Sequence, residues 1–199
     1  MDDIGDVLYQ FANRTILIKY AYQPQFLCTN LTDAVWFGGS GQMFYAAAPY
    51  ALYFAGKCIT TTCGNESGAN NIGASYQRFT GIDLPSNVLG IQTVHFGPVS
   101  LCIVDQNGSA WAIQDIRYVS NYVYCQTGFA GWINMSRFFG ANVARIFVGQ
   151  RVTLAVSYGT LYSCGAIFGT QMKMGKVLQP YSALDVGGFG ETAYVLTAD

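Results

Sequence analysis

Charge is the scarcest property of this chain: Asp, Glu, Lys and Arg make up 11% of its 199 residues, ten basic against eleven acidic. Disordered chains are rich in charge and poor in aromatics, so this scarcity beside 15% aromatic content excludes disorder. Lys/Arg clusters are missing too, the nearest approach being Arg137, Arg145 and Arg151 spread over fifteen residues. Binding to a phosphate backbone needs a basic footprint, so nucleic acid is not an expected partner. No stretch reaches eighteen uninterrupted apolar residues, which argues against a membrane-spanning helix. The segment MDDIGDVLY is acidic where a secretory leader is basic and then apolar, so the expected location is intracellular and cytoplasmic.

Catalytic side chains are also few. His95 is the single histidine, so any Ser–His or Cys–His pair would have to use it. It falls in a strand-like run, where a histidine is expected to sit on a strand face with a satisfied partner. Glu66 and Glu191 are the only glutamates, and no close carboxylate pair suggests an acid/base couple. Gly187-Gly188-Phe189-Gly190 lacks the Lys-Ser/Thr and the following helix that a phosphate loop needs. Cys58 and Cys63 form the only close cysteine pair, without a nearby histidine, and zinc would need two more ligands. The expectation is a non-enzyme with no catalytic, cofactor-binding or metal residues and no cofactor.

What is present favours strands and turns. Hydrophobic residues are 51% of the chain, with 23 Gly, 14 Tyr and 13 Phe, and no Lys/Glu/Ala-rich helical stretch. The length suits one domain, residues 1–199, with no flexible linker. Six cysteines, at 28, 58, 63, 102, 125 and 164, are expected to be reduced in an intracellular chain. Cys102 and Cys164 lie in apolar runs and read as small core residues. Five Asn-x-Ser/Thr sequences, at Asn13, Asn30, Asn65, Asn107 and Asn134, would be glycan acceptors in a secreted protein. Asn13 and Asn107, however, fall where tight turns want Asn for backbone reasons.

The strongest signal is internal repetition. TVHFGPVSLCIVDQNGSAWAI (93–113) and ARIFVGQRVTLAVSYGTLYSCG (144–165) share one phrase, and superposing Gly97 on Gly149 sets them 52 residues apart. AVWFGGSGQMFYAAAPYALYFAG (34–56) is a looser copy, and 6–20 and 185–199 are partial ones. Each phrase is a strand, a glycine, an apolar run, a turn and a return strand. SLCIV and TLAVS have no alternation, the pattern of strands buried on both faces. Asp105-Gln106-Asn107-Gly108, Ser157-Tyr158-Gly159 and Ala48-Pro49-Tyr50 read as the hairpin turns. Gly64–Gly73 reads as a loop, and Tyr76–Asn87 and Lys176–Tyr181 as connectors. Tyr118–Phe139 reads as outer strands or a short helix. Units of this kind must stack to bury their faces.

The phrase resembles the repeats of the regulator of chromosome condensation (RCC1-like) family. Gly149, Thr153, Leu154, Gly159, Leu161, Tyr162 and Gly165 match it, as do Gly97, Leu101, Asp105, Gly108 and Trp111. Gly190, Glu191, Thr192, Val195 and Leu196 look like the start of another copy, and 63–72 and 164–175 are similar to its glycine-containing tail. The family's histidine after the glycine is absent from every copy, and Ala55 or Cys164 stands where a tryptophan is usual. The resemblance implies an all-β, RCC1-like β-propeller, reduced or incomplete, of about four blades plus a fragment.

Open blades leave strand edges that proteins normally cover. With so little charge, the expected role is a non-catalytic scaffold in a larger assembly, partnered by other protein subunits, cytoskeletal or ciliary settings being examples. Two alternatives stand beside it. One is a guanine-nucleotide exchange factor for a small GTPase, the activity for which the family is named. The other is an envelope, capsid or outer-membrane β protein.

Overall fold

The computed structural model describes residues 7–10, 16–19, 27–29, 31, 33–40, 43–58, 75–97, 100–114, 131–149, 152–167, 170–176, 182–189 and 192–198. They form five antiparallel sheets in chain order. The first has three strands, β1 (Val7–Gln10), β2 (Ile16–Lys19) and β3 (Leu27–Thr29). The second is β4 (Trp36–Ser40), β5 (Met43–Ala48), β6 (Ala51–Lys57) and β7 (Ser75–Ile82). The third is β8 (Ile91–Phe96), β9 (Ser100–Asp105), β10 (Ala110–Gln114) and β11 (Ile133–Asn134), followed by the short helix α1 (Ser136–Phe139). The fourth is β12 (Val143–Val148), β13 (Val152–Ser157), β14 (Thr160–Ile167) and β15 (Thr170–Lys176). The last is a pair, β16 (Ala183–Phe189) and β17 (Thr192–Thr197). Three four-stranded sheets are therefore flanked by one of three strands and one of two.

Sequence pattern explains the layering. The second strand of each four-stranded sheet, β5, β9 or β13, is buried at every residue, as the unbroken apolar runs require. β9 and β13 are clasped between their own sheet partners and the sheets on either side, and β5 packs on the third sheet. The resulting core is continuous: Tyr45, Leu52 and Phe54 of the second sheet share a cluster with Leu101, Ile103 and Trp111 of the third. The other side of the third sheet, Cys102, Val104, Ala110 and Ala112, packs on Ile146, Val148 and Ala155 of the fourth. Phe147, Leu154, Val156 and Leu161 of the fourth then pack on Val186 and Val195 of the last.

One backbone contact recurs at each junction. The N–H of Ile91, of Val143 and of Ala183, each opening the first strand of a sheet, donates to a turn carbonyl of the preceding sheet. The acceptors are Pro49, Gly108 and Gly159 respectively. These are the hairpin turns read from sequence. Tyr158 and Gly159 both take positive φ, 49° and 69°, the geometry of a two-residue hairpin. Asp105 Oδ1 accepts the N–H groups of Asn107 and Ser109, and Gly108 takes φ 73°. Gly97 and Gly149 are equivalent as expected, donating N–H to Ser100 and Val152 across the same short loop.

Several expectations change. Tyr76–Asn87 is not a plain connector, because Ser75–Ile82 is the outer strand β7; Pro85 comes only after the strand has ended. Within Tyr118–Phe139 both readings hold, with β11 and α1 side by side, while 118–130 lie outside the described residues. Cys58, directly after β6, is disulfide-bonded, against the expectation of reduced cysteines throughout. Cys102 is a free, buried core thiol as read. Gly64–Gly73, Cys63, Asn13, Asn30 and Asn65 lie outside the described residues. Gly187-Gly188-Phe189 is plain strand within β16.

Candidate functional site

The inner strands carry a shared irregularity. Register slips once between Ile91 and Thr93, once between Val143 and Arg145, and once between Ala183 and Asp185. In the second sheet Val35 N–H donates to Ala47, the residue opposite Trp36. Each slip leaves one residue turned to solvent (Val35, Gln92, Ala144, Leu184) between a buried residue and a half-buried one. A bulge re-aims the side chains that follow it. The half-buried residues after the three bulges, Thr93, Arg145 and Asp185, are therefore equivalent, and Trp36, opposite Ala47, holds the same place in the second sheet.

All four line one cavity of about 320 Å³, together with Val94, His95, Cys102, Ile146, Val186 and Tyr194. The first strands of four successive sheets thus converge on a common axis, the geometry of a propeller. Arg145 Nε lies 3.3 Å from Asp185 Oδ1, and Arg145 Nη1 donates to its neighbour's carbonyl at Ala144. More than two-fifths of each side chain is exposed, so this pair contributes little to stability.

Deeper lies His95, edge-on to the Phe147 ring at 5.0 Å. Its Nε2 is buried and has no hydrogen-bond partner among the described residues, so the expected satisfied partner is not found. Burial lowers its pKa, opposed by the negative charge of Asp185, and the imidazole is neutral at pH 7. Cys102 is its partner across the β8–β9 ladder, the one cysteine the fold brings beside the histidine. Burial pushes that thiol up to about 12, against the pull of hydrogen bonds from Val148 and Ser100. A thiol held that high carries almost no thiolate at pH 7. No group of three or more His, Cys, Asp or Glu able to hold a metal occurs among the described residues.

A second feature lies at the end of the stack. Ladder register makes Tyr194 the counterpart of Leu154, Cys102 and Tyr45, and Leu196 that of Val156, Val104 and Ala47. Those six residues are at most 5% exposed, because the next sheet covers them. Tyr194 and Leu196 are 61% and 55% exposed. Tyr194 lies across Gly187, where any Cβ would collide with the phenol. Sequence reading missed both features, since the bulges that set the equivalence leave no composition signal. Thr192-Ala193-Tyr194-Val195-Leu196 gave no warning either, because its unbroken apolar run reads like those of the covered strands.

No protein-family model and no curated protein matches the chain. Solved structures do. Human WBSCR16 is similar at 13% identity and TM-score 0.69, over 96% of this chain and 55% of that one. Prp20p from Saccharomyces cerevisiae, yeast RCC1, is similar at 15% identity and TM-score 0.64, over 96% and 53%. The N-terminal domain of Nup159 is a more distant likeness, at 12% identity and TM-score 0.52, over 88% and 45%. The chain has an RCC1-like β-propeller fold and spans about half the length of the structures it matches. No helix among the described residues is long and apolar enough to cross a membrane.

Proposed function

We propose that this chain is a non-catalytic propeller scaffold that binds protein partners. The observation that carries the reading is the Tyr194–Leu196 face: positions buried in the second, third and fourth sheets are here left to water. An apolar sheet face left exposed is where natural proteins place a partner. The cysteine that the β8–β9 ladder sets beside the cavity's histidine has its pKa raised by burial to about 12, which suits a core thiol better than a nucleophile. Fold likeness adds that Prp20p is a propeller with binding properties toward Gsp1p and histones, and has been seen bound to Kap60.

The test is the size of the complex containing the chain in extract of its native source. A Tyr194→Lys/Leu196→Lys double variant should elute at the chain's own size, and the wild type in a larger complex. Both side chains are exposed, so the lysines leave the fold intact, which circular dichroism checks. A wild type eluting at its own size contradicts the scaffold reading. Guanine-nucleotide exchange on a small GTPase is a second reading supported by fold likeness alone, and nucleotide release from a GTPase panel tests it.

A further inference from the structure

We infer that the axial cavity binds a free α-amino acid with a large apolar or aromatic side chain, an inference that does not rest on the Tyr194–Leu196 face. Side chains at one repeated position build the site. The bulges in β8, β12 and β16 bring Thr93, Arg145 and Asp185 to the cavity, and Trp36 joins them from the second sheet. Bulges that re-aim side chains are over-represented beside functional sites. The next residues along three of these strands, Val94, Ile146 and Val186, are alike, as packing positions are. The axial four are not: an indole, a hydroxyl, a guanidinium and a carboxylate line about 320 Å³. Four different groups at one equivalent position serve a ligand better than a core.

The charged pair defines the head of that ligand. Arg145 Nε stands 3.3 Å from Asp185 Oδ1, and both side chains are more than two-fifths exposed. Arg145 Nη1 donates to Ala144, and Asp185 Oδ1 accepts from the Val186 N–H. Nη2 and Oδ2 hold no partner among the described residues. Nη2 is placed to donate to a carboxylate and Oδ2 to accept from an ammonium, both charge-assisted bonds. An exposed pair contributes little by itself, so rearranging it around a ligand costs little. A simple cation would meet Arg145 and a simple anion Asp185, whereas a zwitterion finds its complement in both. The remaining wall defines the body. Val94, Ile146, Val186 and the Trp36 ring suit an apolar side chain, whereas a sugar would leave hydroxyls unpaired against them. The volume, near the small end of ligand pockets, fits a single small molecule.

Isothermal titration calorimetry of the purified full chain tests this with L-tryptophan, L-phenylalanine, L-leucine and L-methionine. At least one should bind with a Kd below about 1 mM. The matching amine and the matching acid, tryptamine and indole-3-propionate in the case of tryptophan, should each bind about tenfold more weakly or worse. Arg145→Gln should lower the affinity for the amino acid about tenfold without weakening the amine, and Asp185→Asn should do so without weakening the acid. Circular dichroism checks the fold of each variant, and the comparison of ligands on the wild type stands without them. No binding of any of the four at about 10 mM overturns the inference. So does equal binding of the singly charged analogues, binding of glucose in their place, or an amino-acid affinity unchanged in both variants.

Discussion

Gly108 takes φ 73°, and a Cβ there would stand 2.6 Å from the Cα of Asn142, just before β12. Backbone cannot yield as a flexible side chain does, and the conformation itself is strained for an L-residue. Gly108→Ala should therefore cost about 2 kcal/mol or more in urea unfolding. Gly81, with open space around its Cα and ordinary φ, is the control: Gly81→Ala should be neutral or stabilising by about 0.5 kcal/mol. His95 sets a pH dependence. Its folded pKa lies below its ordinary value of 6.5, so below that pH the unfolded chain binds a proton that the folded chain refuses. Stability is thus fully present at neutral pH and falls as pH drops through about 6.5. His95→Gln should flatten the unfolding free energy between about pH 7.5 and about pH 5; an unchanged slope contradicts a buried neutral imidazole. Sequence showed that His95 was the one histidine in a strand, but not that its Nε2 would be orphaned, because that depends on Phe147 from another sheet.

Strands that cross the core twice, touching a neighbour on each face, announce themselves by unbroken apolar runs, which is why β5, β9 and β13 were legible. Outer strands such as β7 (SYQRFTGI) pack on one side and mix polar with apolar residues, so a nearby proline outweighed them. The bulges in β8, β12 and β16 were invisible for a different reason: a register slip needs two strands, and the sequence shows only one at a time. Register yields a sharp comparison between equivalent positions. Leu154→Ala, in a covered sheet, should cost about 2–5 kcal/mol, whereas Tyr194→Ala in dilute chain should change stability by less than about 0.5 kcal/mol. Equal losses at the two positions, read from denaturant midpoints, would contradict the uncovered face.

At the scale of the whole molecule, repetition carried the fold class, and the resemblance carried its geometry around an axis. The count of blades was less legible. Phrases at the two ends of the chain matched only in part, and the structure gives three and two strands there. Nor did the partial phrase at Thr192–Leu196 show that Tyr194 and Leu196 are exposed where their counterparts are covered. The low charge content acquires a physical meaning from this arrangement. On the scaffold reading proposed above, low charge beside the exposed Tyr194 and Leu196 suits coverage by a partner.

Size-exclusion chromatography of extract from the native source tests the scaffold reading most directly. The wild-type chain should elute in a complex well above its own 21.6 kDa mass, and the Tyr194→Lys/Leu196→Lys variant at the chain's own size. A wild-type chain that elutes at its own size would contradict the scaffold reading.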